Sequence, residues 1–437
     1  MNNKKIALLG FGSENVEFLR WFVRHKVDCK ITICDQQKDI KKKYKEFDLP
    51  NIFWQTGINY DKSLENFDII SRIAGYPLFA RRLKKARREG VEISSPTKLF
   101  FEYCPTKNII GVTGTKGKGT TTALIMAILK IAKKTVFWGG NIGIPMFSFI
   151  DKLKKDDWVV LELSSFQLED LKTSPHISVL TNLQREHLRP ADPKNPNYHK
   201  TYADYILAKF NIFKFQKKKD YAIINQKTNE LSSKIKQNKF DLGSGKKIYF
   251  DKIDYSSHLA GEHNQENVAA ATAVARLLGI KNSTIKKAVK NFQGLEHRLE
   301  FIGEERGIKY YEDSFATTPE SAIIALKSFD SPIILLAGGP DKGANFNKLA
   351  KEITRRVKFL ILFRGEGSKR IKKELLRINY PSTNIYSAGS MKEAFGQVKK
   401  NIKTGDIVLL SPACASFGIF KNYKERGNKF KGELRKI

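Results

Sequence analysis

Residues 109–122 read IIGVTGTKGKGTTT, an apolar run followed by a loop of glycines, lysines and threonines. The apolar run predicts a buried strand, and residues 123–130 after the loop predict a helix. This order is the design of a phosphate-binding P-loop, because backbone N–H groups and the helix N-terminus point at phosphate oxygens while a lysine reaches the terminal phosphates. We therefore predict that ATP is bound by Gly114, Thr115, Lys116, Gly117, Lys118, Gly119 and Thr120.

The spacing of this loop differs from that of the usual P-loop. Val112 occupies the usual position of the first glycine, and Gly119 rather than Ser or Thr follows Lys118. Thr120 is the next hydroxyl residue, so we expect it to supply the oxygen that binds magnesium. The alternative is a glycine-rich turn without a ligand, but such a turn does not explain a lysine followed so closely by a run of threonines.

Two later apolar runs lead to side chains that can hold a metal. The run from Trp158 to Leu163 contains Glu162 near its end, and the run over residues 177–182 is followed by Glu186 and His187. The carboxyl ends of parallel strands face the edge of the sheet where ligands bind, and P-loop enzymes hold magnesium there through a carboxylate. We predict that Glu162 and His187 join the ATP site. The alternatives are a buried, paired carboxylate for Glu162 and an ordinary surface histidine for His187.

The first 105 residues predict a Rossmann-like domain. Residues 5–9 indicate a strand, residues 10–13 (GFGS) a glycine turn, and residues 29–34 a second strand that ends before Asp35. An acidic residue after the second strand is typical of nucleotide-binding βαβ units. Asn15 stands where the third glycine of that pattern would fall, so a plain tight turn is the alternative interpretation.

The residues after 296 again alternate between strands and helices, which predicts a further parallel sheet. The expected strands are residues 308–311, 333–336, 359–363 and 407–410. Together the patterns predict an α/β protein of three domains. These are a Rossmann-like N-terminal domain at 1–105, a central P-loop ATPase domain at 106–295 and a Rossmann-like C-terminal domain at 296–437.

Composition narrows the class of protein. The chain has 437 residues, 41% of them hydrophobic, and a formal net charge of +33. The hydrophobic content excludes a disordered chain, and no apolar run approaches the roughly 18 residues of a membrane helix.

The four cysteines form no C-x-x-C pair, which excludes a disulfide framework and a cysteine-rich zinc site and favours the cytoplasm. The charge leaves a nucleic-acid-binding ATPase as an alternative. Because the lysines are spread along the chain, we expect small anionic substrates instead.

Over essentially its full length, the chain resembles the Mur ligases, the ATP-dependent amino-acid ligases of peptidoglycan precursor synthesis. Besides the P-loop, the resemblance rests on GNIG at 140–143, ELSSFQLE at 162–169, EHNQEN at 262–267, HR at 297–298, DS at 313–314 and LSPACASF at 410–417. The motifs ELSSFQLE and LSPACASF are specific for the glutamate-adding branch. The resemblance implies an enzyme that uses ATP and Mg²⁺ to join glutamate to UDP-N-acetylmuramoyl-L-alanine through an acyl phosphate.

The resemblance also implies roles for single residues. Lys118, His187 and Lys209 match catalytic positions, and Lys209 matches a lysine that the family carbamylates. Magnesium would be held by Thr120, Glu162, His187 and carbamylated Lys209. Further ATP contacts would be Asn264, Asn267, Arg298 and Asp313. The UDP-substrate would contact Gly10, Ser13, Asp35, Asn141, Ser164 and Gln167, and the amino acid would contact Thr317, Lys342, Ser416 and Tyr423.

Besides Gly119 in the P-loop and the loop at 71–75, two further positions depart from the family pattern. Phe315 stands where the D-glutamate-adding branch usually has lysine, and Thr318 stands where asparagine is common. We expect D-glutamate as the incoming amino acid, and the L-glutamate-adding variant is the first alternative. A folylpolyglutamate synthetase-like ligase is the second; the Gly-Lys-Gly of the P-loop favours it, but the 105 residues before the P-loop oppose it. We further expect a cytoplasmic monomer whose partners are small molecules, with no nucleic acid and no membrane.

Overall fold

The computed structural model of the protein describes residues 3–189, 196–228, 241–341 and 343–436. The chain forms two compact units. The first contains the residues up to Ile253 together with Glu266–Ile285, and the second contains Asp254–Gln265 and the residues from Lys286 onward. Two of the three β-sheets lie in the first unit and the third lies in the second. Within the described ranges, no helix combines the length and the apolar character needed to cross a membrane.

The first sheet is built as the sequence predicts. Its strands are β1 (Lys4–Leu9), β2 (Cys29–Asp35), β3 (Ile52–Thr56), β4 (Ile69–Arg72) and β5 (Glu92–Ser94). They are all parallel and lie in the order β3-β2-β1-β4-β5, which is the order of Rossmann-type sheets. The accompanying helices are Ser13–Arg24, Ile40–Lys43, Arg81–Arg88 and Pro96–Tyr103.

Asn15 explains how the first β–α turn is held without a third glycine. Its side chain is fully buried, and its Nδ2 donates to the carbonyl oxygens of Gly10 at 2.7 Å and Ser71 at 3.1 Å. The Ser71 hydroxyl donates in return to Asn15 Oδ1 at 2.9 Å. The asparagine therefore ties the glycine turn to the end of β4.

The second sheet carries the P-loop on a central strand. Its strands are β6 (Ile109–Thr113), β7 (Val136–Gly140), β8 (Trp158–Glu162), β9 (Ile177–Leu180), β10 (Tyr221–Asn225) and β11 (Lys246–Phe250). They are parallel and lie in the order β11-β10-β9-β6-β8-β7. The described helices between residues 118 and 291 are Lys118–Ile131, Ser165–Leu168, Tyr202–Lys214, His263–Leu277 and Asn282–Asn291.

One hydrophobic core joins the first two sheets into a single unit. Phe18, on the helix after β1, packs its ring 4.9 Å from that of Phe147, which lies between β7 and β8. Phe100, which follows β5, lies 6.3 Å from the same ring. All three rings are buried, and burying such a side chain contributes about 1.5–3 kcal/mol. Shared packing of this kind makes residues of both sheets part of one compact body.

The third sheet differs from the prediction at its edge. Its strands are β12 (Glu300–Glu305), β13 (Ile308–Glu312), β14 (Ile333–Ala337), β15 (Val357–Phe363), β16 (Ile385–Ala388) and β17 (Ile407–Leu410). The order is β12-β13-β17-β14-β15-β16, and β12 runs antiparallel to β13. The prediction of an all-parallel sheet was wrong here. Only Arg306 and Gly307, both at positive φ, join the two strands, and a two-residue connection allows only an antiparallel pair.

The helices of the second unit complete the α/β pattern. Those after β13 are Pro319–Leu326, Asn347–Arg356, Glu366–Arg377, Met391–Asn401 and Tyr423–Leu434. The predicted α/β class, with two Rossmann-like sheets and a P-loop sheet between them in the chain, is confirmed. The domain boundaries at 105/106 and 295/296 stay predictions.

Candidate active site

The P-loop backbone needs glycine at two positions. Gly114 and Gly117 have φ values of 147° and 80°, in the region that L side chains rarely adopt. A Cβ at Gly114 would lie 1.9 Å from Thr181 Oγ1, and one at Gly117 would lie 2.1 Å from Asn267 Oδ1. The helix Lys118–Ile131 begins directly after Gly117, a residue without a side chain that could cap the first N–H groups. Those donors are therefore oriented to bind an anion.

Lys118 lies over this loop. Its Nζ donates to the carbonyl oxygens of Gly114 at 3.0 Å and Thr115 at 2.9 Å. The Thr115 hydroxyl is within 2.8 Å of the Tyr205 hydroxyl, which ties the loop to the helix Tyr202–Lys214. Thr120 is half-buried in the first turn of the P-loop helix. The lysine is thus placed at the mouth of the loop, beside the helix N-terminus.

Lys209 is a buried amine next to the same loop. Its side chain is 1% exposed, its Nζ donates to the Gly114 carbonyl oxygen at 2.7 Å, and it lies 4.7 Å from the centroid of the Tyr205 ring. Burial, and next the positive charge of Lys118, hold the pKa of Lys209 well below its usual range. The neutral form of an amine is the nucleophile that reacts with carbon dioxide, and the lowered pKa of Lys209 favours that form.

Glu162 is oriented by the turn after β7. Its carboxylate is 7% exposed, and Asn141 Nδ2 donates to Glu162 Oε1 at 2.8 Å. Gly140, at φ 92°, lets this turn approach, because a Cβ there would lie 2.3 Å from the Glu162 carbonyl oxygen. Since β8 pairs with β6 so that Glu162 stands opposite Val112, the carboxylate lies at the strand ends next to the P-loop.

His187 follows β9 on the other side of the P-loop strand. Its backbone has a φ of 58°, its Nε2 lies 3.6 Å from a Glu186 carboxylate oxygen, and its ring meets the Phe166 ring edge-on at 5.1 Å. Burial lowers the pKa of His187; the charges of Lys209 and Lys118 lower it further, whereas Glu186 opposes the shift. A neutral imidazole is the form that binds a metal ion.

The structure therefore brings Lys118, Glu162 and His187 to one edge of one sheet. The strands that carry them, β8, β6 and β9, are adjacent, and all three end at the same edge. Lys118 Nζ and Lys209 Nζ both donate to the Gly114 carbonyl oxygen, which places the buried amine of Lys209 at the same edge.

The predicted UDP-substrate residues divide into two groups. Gly10 and Asp35 line a cavity of about 260 Å³ together with Tyr60 and Tyr76, and Ser13 is exposed outside that lining. The Asp35 carboxylate already accepts backbone hydrogen bonds from Phe11 and Gln37, at 2.7 and 2.8 Å.

The second group is Asn141, Ser164 and Gln167, all of which make hydrogen bonds inside the first unit. Ser164 caps the helix Ser165–Leu168 in a reciprocal capping box with Gln167. Gln167 Nε2 also donates to Glu14 Oε1 at 2.7 Å. The amide nitrogen of Asn141 is directed at Glu162. These residues are therefore held in fixed orientations near the strand ends.

The predicted ATP and amino-acid contacts after the P-loop fall in both units. Asn267 lies in the first unit and accepts a hydrogen bond from Thr121 Oγ1 at 3.2 Å. Asn264 lies in the second unit, inside the first turn of the helix His263–Leu277, where its amide donates to the Ala260 carbonyl oxygen at 2.6 Å. Both asparagines lie within this helix.

In the second unit, predicted residues surround the end of β13. Asp313 is buried and accepts hydrogen bonds from the Ser411 hydroxyl at 2.8 Å and from Leu299 N at 3.1 Å. Arg298 lies over the Phe315 ring at 4.0 Å, and Tyr423 meets the same ring edge-on at 5.3 Å. Thr317 and Ser416 are half-buried. Lys342 lies outside the described residues.

Comparisons with known proteins identify the family. Residues 112–275 match the Mur ligase middle domain, and residues 297–414 match the Mur ligase glutamate ligase domain. The UDP-N-acetylmuramoylalanine–D-glutamate ligase of Clostridium tetani is 38% identical over 100% of this chain and 97% of that protein. The chain belongs to the Mur ligase family. The protein is accordingly an ATP-dependent ligase that forms an amide bond.

Other relatives agree with this assignment. The ligase of the same name from Clostridium acetobutylicum is 37% identical over 99% of this chain and 96% of that protein. Among solved structures, the MurF ligase of Thermotoga maritima in complex with ADP aligns with a TM-score of 0.57 and 16% identity, covering 100% of this chain and 96% of that one. The MurC ligase of Thermotoga maritima aligns with a TM-score of 0.55 and 19% identity over 99% of this chain and 100% of that one. These two structures share the fold of this Mur ligase.

Sequence reasoning about this Mur ligase missed several residues of the site. The Tyr205 hydroxyl is hydrogen-bonded to the Thr115 hydroxyl, and the Tyr205 ring lies beside Lys209. The sequence could have indicated this residue, because residues four apart on a helix lie on the same face and Tyr205 comes four residues before Lys209. His199 stacks on Phe166 at 4.7 Å and bonds the Ser165 hydroxyl at 2.9 Å. Arg426 is buried and donates to the carbonyl oxygens of Ser314 and Ala415. No sequence signal marks the last two, since their partners are distant in the chain.

Asp313 should make the stability of this Mur ligase depend on pH. Burial raises the pKa of Asp313 from 3.8 to about 7, although hydrogen bonds from Ser411 and Leu299 oppose the shift. A carboxyl whose pKa is raised by folding stabilises the folded state fully below its unfolded pKa, and that contribution is lost as the pH rises through the folded pKa. We therefore compare the free energy of unfolding of the wild type with that of Asp313→Asn. The difference should change by at most about 4 kcal/mol, to the disadvantage of the wild type, as the pH rises from about 4 to about 7. Above about pH 7 it should be constant.

Denaturant unfolding of both proteins across that pH range measures the difference. Asparagine does not titrate. Its Oδ1 can accept the hydrogen bond from Leu299 N, and its Nδ2 can donate to the Ser411 hydroxyl, which then acts as acceptor, so the pair of proteins isolates the titration of the carboxyl. A difference in unfolding free energy that is constant with pH would contradict the expectation.

Proposed function

We propose that this Mur ligase joins D-glutamate to UDP-N-acetylmuramoyl-L-alanine and converts ATP to ADP and phosphate, as a step of peptidoglycan precursor synthesis. The observation that carries the proposal is the meeting of Lys118, Glu162 and His187 at one sheet edge, beside the N-terminus of the P-loop helix. The relatives that match over the full length are named for this reaction, which supports the choice of substrates.

The chemistry needs a carboxylate to become an acyl donor. An oxygen of the muramoyl-alanine carboxylate attacks the γ-phosphorus of ATP, the bond to the bridging oxygen breaks, and an acyl phosphate and ADP form. The glutamate amine then attacks the acyl carbon, and the tetrahedral intermediate expels phosphate and loses the amine proton to leave the amide. All three substrates are anions, so the site must bring like charges together.

The residues of the P-loop edge suit this task. Lys118 and the N–H groups at the start of its helix neutralise phosphate charge as it develops. Fixing the reactants in line removes much of the entropic barrier, by up to roughly 7–11 kcal/mol in well-oriented model systems. Thr120, Glu162, His187 and a carbamylated Lys209 would hold Mg²⁺, which when bound supplies positive charge to the phosphate oxygens.

The remaining roles are proposed by residue. The P-loop residues Gly114 to Thr120 bind the nucleotide, together with Asn264, Asn267, Arg298 and Asp313. Gly10, Ser13, Asp35, Asn141, Ser164 and Gln167 bind the UDP-linked substrate, and Thr317, Lys342, Ser416 and Tyr423 bind glutamate. Thr318 is a helix cap whose hydroxyl accepts from Ser321 N at 3.4 Å, and asparagine caps helices equally well, so this departure does not bear on the substrate. We propose that the enzyme works in the cytoplasm as a monomer with small-molecule partners.

The test is phosphate release by the purified protein with ATP, Mg²⁺, UDP-N-acetylmuramoyl-L-alanine and each enantiomer of glutamate in parallel. We expect turnover with D-glutamate and little with L-glutamate. Turnover with L-glutamate alone would assign the enzyme to the variant branch. No turnover with either enantiomer would overturn the proposal, and turnover with a folate and glutamate would replace it.

A further inference from the structure

Two segments of the second unit are fixed against each other around Arg298. His297 Nδ1 lies 2.6 Å from Glu312 Oε2, both side chains being buried. Phe315 N donates to the His297 carbonyl oxygen at 3.0 Å, and Leu299 N donates to Asp313 Oδ1 at 3.1 Å. The residues before and after Arg298 are therefore held by contacts to the segment that contains Phe315.

The side chain of Arg298 is exposed, yet it has one defined contact. Its guanidinium carbon lies 4.0 Å from the centroid of the Phe315 ring. Among the described residues, it makes neither an ion pair nor a side-chain hydrogen bond. A guanidinium stacked on an aromatic face keeps its planar donors free for an oxyanion while the number of its rotamers is reduced.

Phe315 is itself supported but does not belong to a core. Its ring is 44% exposed, and it meets the Tyr423 ring edge-on at 5.3 Å with an interplanar angle of 89°. Tyr423 in turn packs edge-on against the buried His297 ring at 5.7 Å. The Phe315 ring is thus held by Tyr423, and the Arg298 guanidinium lies over its face.

We propose that Phe315 is a positioning residue, which holds the Arg298 guanidinium by stacking in the orientation that binds a phosphate group of ATP. This deepens the proposed function and rests on its assignment of Arg298 to the nucleotide. The residue that the family usually has at this position, lysine, cannot play this part, because an ammonium beside Arg298 repels the guanidinium instead of stacking with it. At position 315 this chain therefore has an aromatic ring that supports the charge of Arg298 instead of a second charge beside it.

The first experiment compares four variants in the affinity for AMP-PNP, measured by calorimetric titration of the full chain with Mg²⁺. We expect Phe315→Leu to raise the Kd about three- to ten-fold, since it removes the ring but keeps an apolar side chain. Phe315→Trp, which restores an aromatic face, should stay within about two-fold of the wild type. Phe315→Lys should raise the Kd at least as much as the leucine variant. Phe53→Leu, at a ring with a similar exposure of 48% on β3, is the matched control and should change nothing.

The second experiment is a double-mutant cycle with Arg298→Ala. If Phe315 acts through Arg298, then Phe315→Leu should change the Kd by less than two-fold once the arginine is gone. An equal effect of Phe315→Leu with and without the arginine would overturn the proposal. So would a Phe315→Lys variant that binds AMP-PNP more tightly than the wild type, or a Phe315→Leu variant with a lower melting temperature and an unchanged Kd.

Turnover separates this proposal from the proposed function. We expect Phe315→Leu to raise the KM for ATP by the same factor as the Kd, with the KM for D-glutamate and kcat changed by less than two-fold. A wild type that binds AMP-PNP but turns over with neither enantiomer would overturn the proposed function, while the cycle of Kd values would still decide the role of Phe315.

Discussion

Lys118→Ala should lower kcat/KM on the order of 10³-fold, about 4 kcal/mol of transition-state stabilisation, with little change in melting temperature. The amine lies at the mouth of the P-loop, where it donates to the carbonyl oxygens of Gly114 and Thr115. Its loss removes a positive charge from the phosphate site, and the Gly114 carbonyl oxygen still accepts a hydrogen bond from Lys209 Nζ. Steady-state phosphate release measures the rate, and thermal unfolding measures the fold.

A second consequence of this substitution reaches Lys209 and His187. The charge of Lys118 lowers the pKa of both groups, so its removal should raise both pKa values. A more protonated Lys209 amine is a poorer nucleophile, and a protonated imidazole cannot bind a metal, so the rate falls for reasons beyond the lost phosphate contact.

Lys130→Ala is the matched control for Lys118→Ala. It removes a lysine from the last turn of the same helix, where the side chain is exposed, and it should leave kcat/KM within two-fold of the wild type. A Lys118→Ala enzyme that retained more than a tenth of wild-type kcat/KM would contradict the role given to Lys118.

The P-loop edge was predictable because its signals are local. An apolar run, a glycine-rich loop and a helix fix the position of Lys118 within one short segment of chain. The positions of Glu162 and His187 needed only one further rule, that parallel strands end at a common edge. The adjacency of β8, β6 and β9 fulfils that rule.

Contacts between distant segments were not predictable in the same way. Asn15 replaces a glycine by reaching Ser71, 56 residues along the chain, and Arg426 reaches Ser314 over 112 residues. Neither residue of such a pair stands in a recognisable sequence pattern, because the two residues come close only in the folded protein. The antiparallel direction of β12 was not predicted for another reason. The Arg306–Gly307 turn is short, and the strand before it was not recognised in the sequence.

Glu162→Gln should lower kcat/KM on the order of 10²-fold and raise the Mg²⁺ concentration needed for half-maximal rate. Glutamine has the same shape as glutamate, and its carbonyl oxygen can still accept the hydrogen bond from Asn141 Nδ2 that Glu162 accepts at 2.8 Å. The substitution therefore removes the negative charge while the orientation of the side chain is kept. A neutral amide oxygen is a weaker ligand for a hard cation than a carboxylate.

Magnesium titrations of the rate separate this role from a structural one. The matched control is Asp157→Asn, because Asp157 is also a buried carboxylate, lies directly before the first residue of β8 and so stands at the end of the strand opposite to Glu162. Its amide oxygen can still accept the hydrogen bond from Lys154 N, and we expect an unchanged magnesium dependence. If Glu162→Gln lowered the rate equally at every magnesium concentration, the carboxylate would act on the fold or on the substrate and not on the metal. A shift of the titration that appears for Glu162→Gln and not for Asp157→Asn is the result that the geometry of the sheet edge requires.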